Sequence, residues 1–215
     1  VRDINPLTRL FFQAGEELGY ARNDDFNGRQ QKGFGRFQVT QKNGQRWSAA
    51  RAFLDPARGR NNLHIITDVQ VTKVILDDGR AVGVETRNGD GSVSIIDASK
   101  EVILSGGAIN SPQLLMLSGI GKKEHLSKVG IDCLHHSPEV GENLQDHLDM
   151  TVMIKDRSRQ SIGMSPFFIP RLIGAFYQYF RHRRGFLASN AAEAGAFVNL
   201  FSETDRPDAQ LHFLP

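Results

Sequence analysis

A pair of glycines followed by a short apolar stretch is the part of this sequence best suited to bind a nucleotide or another anion. Gly106 and Gly107 have no side chain, so a ligand or a second backbone can approach them closely. The apolar run at residues 101–105 precedes them and predicts a buried strand. Ser111 suits the N-cap of a helix and Pro112 its first position. The sequence therefore predicts a sharp strand-to-helix turn that could face an anion.

The histidines and the cysteine give weaker signals. His135 and His136 are adjacent, but they lack further ligands at the spacing of a metal site. His147 ends a polar turn and is interpreted as a structural hydrogen-bonding residue. Cys133 is the only cysteine, so an internal disulfide is impossible. We interpret it as a small, buried residue in a reducing compartment, and we assign no metal site.

The fingerprint that holds the pyrophosphate of a dinucleotide is missing from these residues. It has the pattern Gly-x-Gly-x-x-Gly/Ala, because the third small residue lets helix and strand pack closely. Three Gly-x-Gly triplets begin at Gly33, Gly89 and Gly119, and none continues to glycine or alanine at the third site. These residues alone are therefore not expected to hold a pyrophosphate.

Composition limits the class of protein. A chain of 215 residues can form one large domain or parts of two. Its 40% hydrophobic and 23% charged residues are typical of a globular protein, and a net charge of +2 gives no reason to expect a nucleic-acid partner. No run of about 18 uncharged apolar residues could span a bilayer. Because the chain opens at Val1 and closes on a strand-like segment, we interpret it as an internal piece of a longer protein.

The segments around the glycine turn alternate between helix and strand signals. Apolar residues at helical spacing predict a helix from Asn5 to Gly19. Residues 24–45 predict a long loop, and short helices are predicted at 49–54 and around 126–129. Four segments rich in β-branched residues, separated in part by Asp-Gly and Asn-Gly turns, predict a β-meander that leads into the buried strand. They are residues 63–67, 71–76, 81–86 and 92–96.

Composition changes after a polar turn at 140–147, and we predict a domain boundary near His147. A strand is predicted at 152–154 and an apolar, aromatic helix at 166–180, followed by a basic cluster at 181–184. We interpret the apolar stripe of this helix as a buried face. The alternative is an interfacial helix on a membrane, near a lipid-soluble electron acceptor. The stripe consists of Phe167, Phe168, Ile169, Leu172, Ile173, Phe176, Tyr177 and Phe180.

Along residues 107–121 the chain resembles the glucose-methanol-choline (GMC) family of FAD-dependent oxidoreductases. This stretch fits the family's second signature, with Ser-Pro, paired aliphatic residues and a closing Ser-Gly-Ile-Gly. Family-like segments also lie at 44–50, 60–63, 82–85, 140–147 and 189–195, whereas Glu139 stands where the family usually has glycine. The resemblance implies an α/β (α+β) fold. Residues 1–147 would form part of a doubly wound FAD-binding domain with a β-meander and inserted loops, and residues 148–215 would begin an antiparallel substrate-binding domain.

The resemblance also implies site residues. A backbone group of Val71 would contact the adenine of FAD, and Gly106, Gly107 and Ala108 would lie beside its nucleotide half. Glu193 would face the substrate, as a carboxylate at the matching place faces a quaternary ammonium in choline-oxidising relatives. Two alternatives stay open. Val71 could be an ordinary strand residue, and Glu193 could form hydrogen bonds or a salt bridge within its own domain.

The implied activity is oxidation of an alcohol, either choline or an aliphatic alcohol, to an aldehyde by hydride transfer to FAD. The electrons would pass to a quinone-like acceptor or to oxygen. The family's catalytic histidine lies in a His-x-x-Gly-Thr segment that is absent here, so no catalytic residue is assigned. We expect these 215 residues alone to be inactive and not to hold FAD tightly. The expected location is cytoplasmic, with peripheral attachment to the inner membrane as an alternative, and the second hypothesis is a non-catalytic binding or scaffold module.

Overall fold

The computed structural model describes residues 3–158, 160–162, 168–201, 204 and 206–215. The chain divides into two compact units. One unit is discontinuous and combines Val1–Leu63 with Val152–Pro215, and the other is His64–Thr151. The sequence predicts a division at 147/148 between two functional domains of a longer protein. The two units above are defined by how the chain packs, so they do not test that division, and it stays a prediction.

The regular elements of the described residues are mostly short helices and short strands. The helices are α1 (Pro6–Glu17), α2 (Asp55–Ala57), α3 (Gly107–Leu117), α4 (Lys123–Lys128) and α5 (Phe168–His182). The strands are β1 (Gly33–Arg36), β2 (Gln41–Lys42), β3 (Gln45–Arg46), β4 (Val69–Asp77), β5 (Arg80–Asn88), β6 (Val93–Asp97), β7 (Ile120–Gly121), β8 (His135–His136), β9 (Ala194–Val198) and β10 (Ala209–Phe213). A π-helical turn, Ala50–Leu54, leads directly into α2, so the helix predicted at 49–54 does not stop at Asp55.

In the discontinuous unit, α1 begins where the sequence predicts it. Asn5 has an extended backbone, and its Oδ1 accepts a hydrogen bond from the Leu7 N–H at 2.9 Å. The buried face of α1 is formed by Thr8, Phe12 and Gly15. Hydrophobic periodicity does not predict this buried face, because two of its three residues are a threonine and a glycine.

Strand β1 shows that the loop expected at 24–45 is wrong in part. β1, β9 and β10 form an antiparallel sheet with β9 in the centre. Phe34 of β1 is buried against α1, where a Cβ on Gly15 would come within 2.6 Å of its ring. Gly35 packs directly against the carbonyl oxygen of Asn23. The Gly-Phe-Gly string therefore forms a strand, because its small residues let neighbouring backbone approach closely.

The core of this unit lies between α1 and the sheet. Its buried members are Phe12, Phe34, Ala194, Ala196 and Val198, with Phe11, Tyr20, Ala209 and Phe213 packed around them. The rings of Phe11 and Phe213 stack with centroids 4.6 Å apart. Aromatic side chains from both ends of the chain thus fill the space between helix and sheet.

Helix α5 differs from the predicted single buried face. Ala175 is buried, but Ile173 and Phe180 of the predicted stripe are 67% and 68% exposed. Pro166 and Phe167, with which the predicted helix and stripe begin, lie outside the described residues. No helix among the described residues combines the length and the apolarity needed to cross a membrane.

In the second unit, the predicted meander is confirmed for three of its four strands. β4, β5 and β6 form an antiparallel sheet in that order. Residues 63–67 and 101–105 are not strands in this structure, and in the other unit residues 152–154 are not a strand either. No described strand pairs with any of these three segments. An apolar, β-branched sequence does not make a strand without a neighbouring backbone to pair with.

Helix α3 starts earlier than predicted. It begins at Gly107 rather than after Ser111, and Pro112 lies inside it. The Ser111 hydroxyl nevertheless acts near the helix start, where its Oγ accepts a hydrogen bond from the Gly106 N–H at 2.9 Å. Gly107 has a φ of 83°, in the left-handed region that glycine adopts without strain. The two glycines let the chain turn directly into the helix, five residues before the sequence signals suggest.

The C-terminal end of α3 is attached to β4 by a buried serine. Ser118 Oγ accepts a hydrogen bond from the Val74 N–H at 2.8 Å and donates one to the Leu114 carbonyl at 2.6 Å. Ser118 is fully buried and Val74 nearly so. The hydroxyl therefore satisfies a backbone donor of β4 that β5 does not use.

Replacing Ser118 with alanine is expected to loosen α3 from β4. The buried Val74 N–H would lose its acceptor, which costs about 1–3 kcal/mol. Native-state hydrogen exchange should then show roughly 5- to 150-fold faster exchange of the Val74 amide. Ser127→Ala, at an exposed serine of α4, is the matched control and should leave that amide unchanged. Unaltered protection of the Val74 amide in Ser118→Ala would contradict the role given to this hydroxyl.

Candidate functional site

The N-terminal end of α3 is open and bare. Gly106, Gly107 and Ala108 are exposed, and a Cβ added to Gly107 would meet nothing within 4 Å. Within the described part of the chain, no hydrogen bond uses the N–H of Gly107, Ala108 or Ile109. These donors and the positive end of the helix dipole favour an approaching acceptor or anion.

The turn fits the nucleotide part of a cofactor such as FAD. It has no bulky side chain that would block a ring or a phosphate, and its N–H groups are directed away from the helix. A side chain at Gly106 would be crowded, because a Cβ there would lie 3.1 Å from the Asn110 Cβ and 3.2 Å from the Ser111 nitrogen. This end of α3 is thus a surface of backbone donors that a flat ligand could reach closely.

Val71 lies on an edge strand of the same unit. It is 38% exposed and is paired with Thr86 of β5 on one side, while no described strand pairs with the other side of β4. The ladder shifts between Val71 and Lys73, as it does at a β-bulge. Thr72 is held in this irregularity by a 2.6 Å hydrogen bond from its Oγ1 to Glu85 Oε1. Such an edge leaves backbone groups available to a ligand.

The structure places Val71 and the glycine turn on two elements that pack together, α3 and β4. The hydrogen bond that joins them links Val74 to Ser118, at the end of α3 opposite to the glycine turn. No described hydrogen bond joins Val71 directly to Gly106, Gly107 or Ala108.

Glu193 is the most buried carboxylate of the described residues and belongs to the other unit. It is 1% exposed. Its Oε2 accepts hydrogen bonds from the Asn5 N–H at 2.6 Å and the Thr8 hydroxyl at 3.1 Å. Its Oε1 accepts one from the Ser189 hydroxyl at 2.9 Å. Both oxygens are thus engaged at the N-terminal end of α1, where the helix dipole favours a negative charge.

The histidines and the cysteine do not converge. His136 Nδ1 accepts a hydrogen bond from the Lys123 N–H at 3.2 Å, and His135 pairs beside it in β8. His147 is exposed, and Cys133 is half-buried with its Sγ 3.9 Å from the Gly121 carbonyl oxygen. Across the ranges that the structure describes, no three His, Cys, Asp or Glu side chains gather as a metal site would require.

Sequence reasoning missed the hydroxyl groups that surround Glu193. The helical periodicity that predicts α1 counts only apolar residues, so it does not single out Thr8. Thr8 and Glu193 are far apart in the sequence, so their contact cannot be predicted from it. Ser189 was accessible to reasoning, because it precedes Glu193 by four residues in a family-like segment. Ser118 belongs to the closing Ser-Gly-Ile-Gly of the signature, but its role could not be predicted, since that role depends on Val74 of β4, 44 residues away.

Comparison with known proteins agrees on one family. The family model described as GMC oxidoreductase matches residues 1–149. "Alcohol dehydrogenase [acceptor]" of Pseudomonas putida is 52% identical over all of this chain, and an oxygen-dependent choline dehydrogenase of Staphylococcus xylosus is 45% identical over 98% of it. The chain spans 39% and 37% of the lengths of these two curated relatives.

Solved structures give the same result for the fold. A formate oxidase variant of Aspergillus oryzae RIB40, studied for modification of its FAD, is 26% identical with a TM-score of 0.72, over 93% of this chain and 35% of its own. Pyridoxine 4-oxidase from Mesorbium loti is 34% identical with a TM-score of 0.59, over 63% of this chain and 26% of its own. A fungal aryl-alcohol oxidase, at 22% identity and a TM-score of 0.74 over 92% of this chain and 34% of its own, supports the fold alone. The mixed α/β fold class is thereby confirmed at this coarse level.

Replacing Glu193 with glutamine is expected to destabilise the discontinuous unit. The amide keeps one acceptor oxygen and loses its charge, so one of the donors from Asn5, Thr8 and Ser189 would lack a good acceptor. The expected loss is about 1–3 kcal/mol in the free energy of unfolding, measured by denaturant titration. Glu101→Gln, at an exposed carboxylate with no described hydrogen bond, should change it by less than about 0.5 kcal/mol. Equal stability of the two variants would argue against a structural role for Glu193.

Proposed function

Because the chain belongs to the GMC oxidoreductase family, we propose that the whole protein is an FAD-dependent dehydrogenase that oxidises an alcohol to an aldehyde. The observation that carries this proposal is the 52% identity to an acceptor-linked alcohol dehydrogenase along the entire chain. The lower identity of 45% to a choline dehydrogenase favours an aliphatic alcohol over choline. A quinone-like compound or oxygen takes the electrons in this proposal.

Backbone groups of this chain hold the nucleotide half of the cofactor in the proposed protein. The N–H groups at the start of α3, from Gly107 and Ala108, donate to it, and Gly106 lets it approach. The exposed edge of β4 offers a backbone group at Val71 to the adenine. When bound, FAD accepts the hydride that leaves the alcohol carbon.

The proposed fold of the complete FAD-binding domain is doubly wound. Residues 63–67 and 101–105 support this, because they are apolar, β-branched segments that no described strand pairs with. In the complete domain they pair with strands supplied by the rest of the protein. The segment at 101–105 would then end at the glycine turn, at the carboxyl edge of a parallel sheet, where such folds bind their ligands.

Glu193 keeps its two candidate roles, and kinetics separates them. A direct contact with a substrate cation would require the carboxylate to share oxygens that already accept three hydrogen bonds. Its burial and its partners therefore support the structural role more than the substrate role. A substrate role would appear as a raised KM for choline in Glu193→Gln, without a change in stability.

Substitution of Gly107 tests the proposed cofactor contact. Alanine at Gly107 must adopt a positive φ, and its methyl group would add bulk to a turn that is bare in this structure. The whole protein carrying Gly107→Ala is expected to bind FAD at least about tenfold more weakly, measured from flavin absorbance after desalting. Gly79→Ala is the matched control, because Gly79 has a φ of 75° and equally open surroundings in the β4–β5 turn. Equal FAD content in both variants would refute the contact.

Activity measurements test the proposed reaction itself. The whole protein should reduce an artificial electron acceptor when given a primary aliphatic alcohol and should form the aldehyde. The 215 residues expressed alone should emerge colourless from desalting after incubation with FAD, because they lack a pyrophosphate-binding fingerprint. Retained flavin on the short chain, or a whole protein that oxidises no alcohol, would count against the proposal. The latter outcome would favour the non-catalytic module.

A further inference from the structure

Strand β4 contains one residue that has no partner on β5. Val71 is opposite Thr86, and Lys73 is opposite Glu85. Thr72 between them is therefore the extra residue of a β-bulge. The Thr72 hydroxyl donates to Glu85 Oε1 at 2.6 Å and lies 3.2 Å from the Glu85 carbonyl oxygen. These contacts hold the bulge from within the sheet, so they do not depend on what surrounds the sheet in the whole protein.

A hydrogen bond to α3 fixes the direction of the peptide groups along β4. The N–H of Val74 donates to the Ser118 hydroxyl, so it is turned away from β5. In an antiparallel pair, residues whose N–H and carbonyl groups face the partner strand alternate with residues whose groups face away. In a regular strand Val71, three positions before Val74, would face β5. The bulge at Thr72 shifts the alternation by one position, so the N–H and carbonyl of Val71 face away from β5.

Strand β5 gives an independent check of this direction. The Asn88 N–H donates to the Ser92 carbonyl oxygen, so Asn88 is turned away from β4. Thr86 precedes it by two residues and faces the same way. Val71 and Thr86 are therefore opposite each other without exchanging hydrogen bonds. Among the described residues, no strand lies on the other side of β4 to use the Val71 groups.

A second irregularity, in β5, cancels the shift. Ile75 is opposite Gly83, and Leu76 is opposite Ala81, so one residue of β5 is extra there. Beyond this point the two strands regain the register that they have before Thr72. The two irregularities thus leave the ends of the hairpin aligned as in a regular ladder. What the bulge at Thr72 changes is which peptide groups face the open edge of β4.

We propose that Thr72 is a positioning residue for the adenine of the cofactor. Its hydroxyl holds the bulge against Glu85, and the bulge turns the N–H and carbonyl of Val71 towards the open edge, where they bind adenine. This role rests on the proposed function, which supplies the contact at Val71. A donor and an acceptor on one residue match the polar edge of adenine, which carries an acceptor nitrogen beside an amino group.

The affinities of the whole protein for FAD and for FMN test the proposal, because FMN carries the flavin but no adenine. After removal of its flavin, the whole protein with Thr72→Val should bind FAD about three- to tenfold more weakly, with its FMN affinity unchanged. Thr72→Ser keeps the hydroxyl and should restore the FAD affinity. Hydrogen exchange gives a second readout. FAD should slow exchange of the Val71 amide in the unaltered protein, and less so in Thr72→Val.

Thr86→Val is the matched control. The Thr86 hydroxyl donates to the Ser94 carbonyl oxygen at 3.2 Å and takes no part in the bulge. This variant should leave the ratio of FAD to FMN affinity unchanged, even where it lowers the free energy of unfolding. Three outcomes overturn the positioning role alone: unchanged FAD binding in Thr72→Val, equal weakening of FAD and FMN, or a Val71 amide that FAD leaves unprotected. A whole protein that binds no FAD overturns the proposed function as well.

Discussion

Both units depend on backbone segments that approach each other more closely than a side chain would allow. In the discontinuous unit, Gly15 makes room for the ring of Phe34, and Gly35 and Gly195 lie directly against neighbouring carbonyl oxygens. In the second unit, a Cβ on Gly83 would stand 2.6 Å from the carbonyl oxygen of Ile96. A methyl group at Gly35, Gly195 or Gly83 would meet a backbone carbonyl oxygen, and one at Gly15 would displace the buried ring of Phe34.

Elements whose signals are local were predictable from the sequence, and elements that depend on distant partners were not. The start of α1 follows from Asn5 and Pro6, and the meander follows from its Asp-Gly and Asn-Gly turns. Strand β1 was hidden, because its partner β9 lies far along the chain and its glycines resemble those of a loop. The opposite error occurred at 101–105, where apolar β-branched residues indicate a strand but no described backbone pairs with them. Ser111 and Pro112 likewise predict a helix that begins at residue 112, but α3 begins earlier, at Gly107.

The candidate site, like the fold, has parts that the sequence predicts and parts that it does not. The glycine turn was identifiable, because glycine spacing and the family signature both point to it, and the structure adds that its N–H groups are free of described partners. A backbone contact such as the one proposed at Val71 would leave no trace in side-chain identity, so periodicity cannot detect it. For Glu193 the sequence shows a carboxylate but not its surroundings. The hydroxyl and amide donors that engage it come from helix α1 and from Ser189, and only the fold brings them together.

The discontinuous unit also restricts how the protein can be made on a ribosome. Asn5 and Glu193, which share a hydrogen bond, are 188 residues apart in the sequence. At about 5–20 residues per second, translation needs roughly 10–40 s to deliver the second partner after the first. During that interval α1 and β1 have emerged without the strand that covers their apolar side chains, whereas the β4–β6 meander can complete its pairing as it emerges. The nascent chain therefore exposes Phe12 and Phe34 to chaperones and to aggregation until β9 has been synthesised.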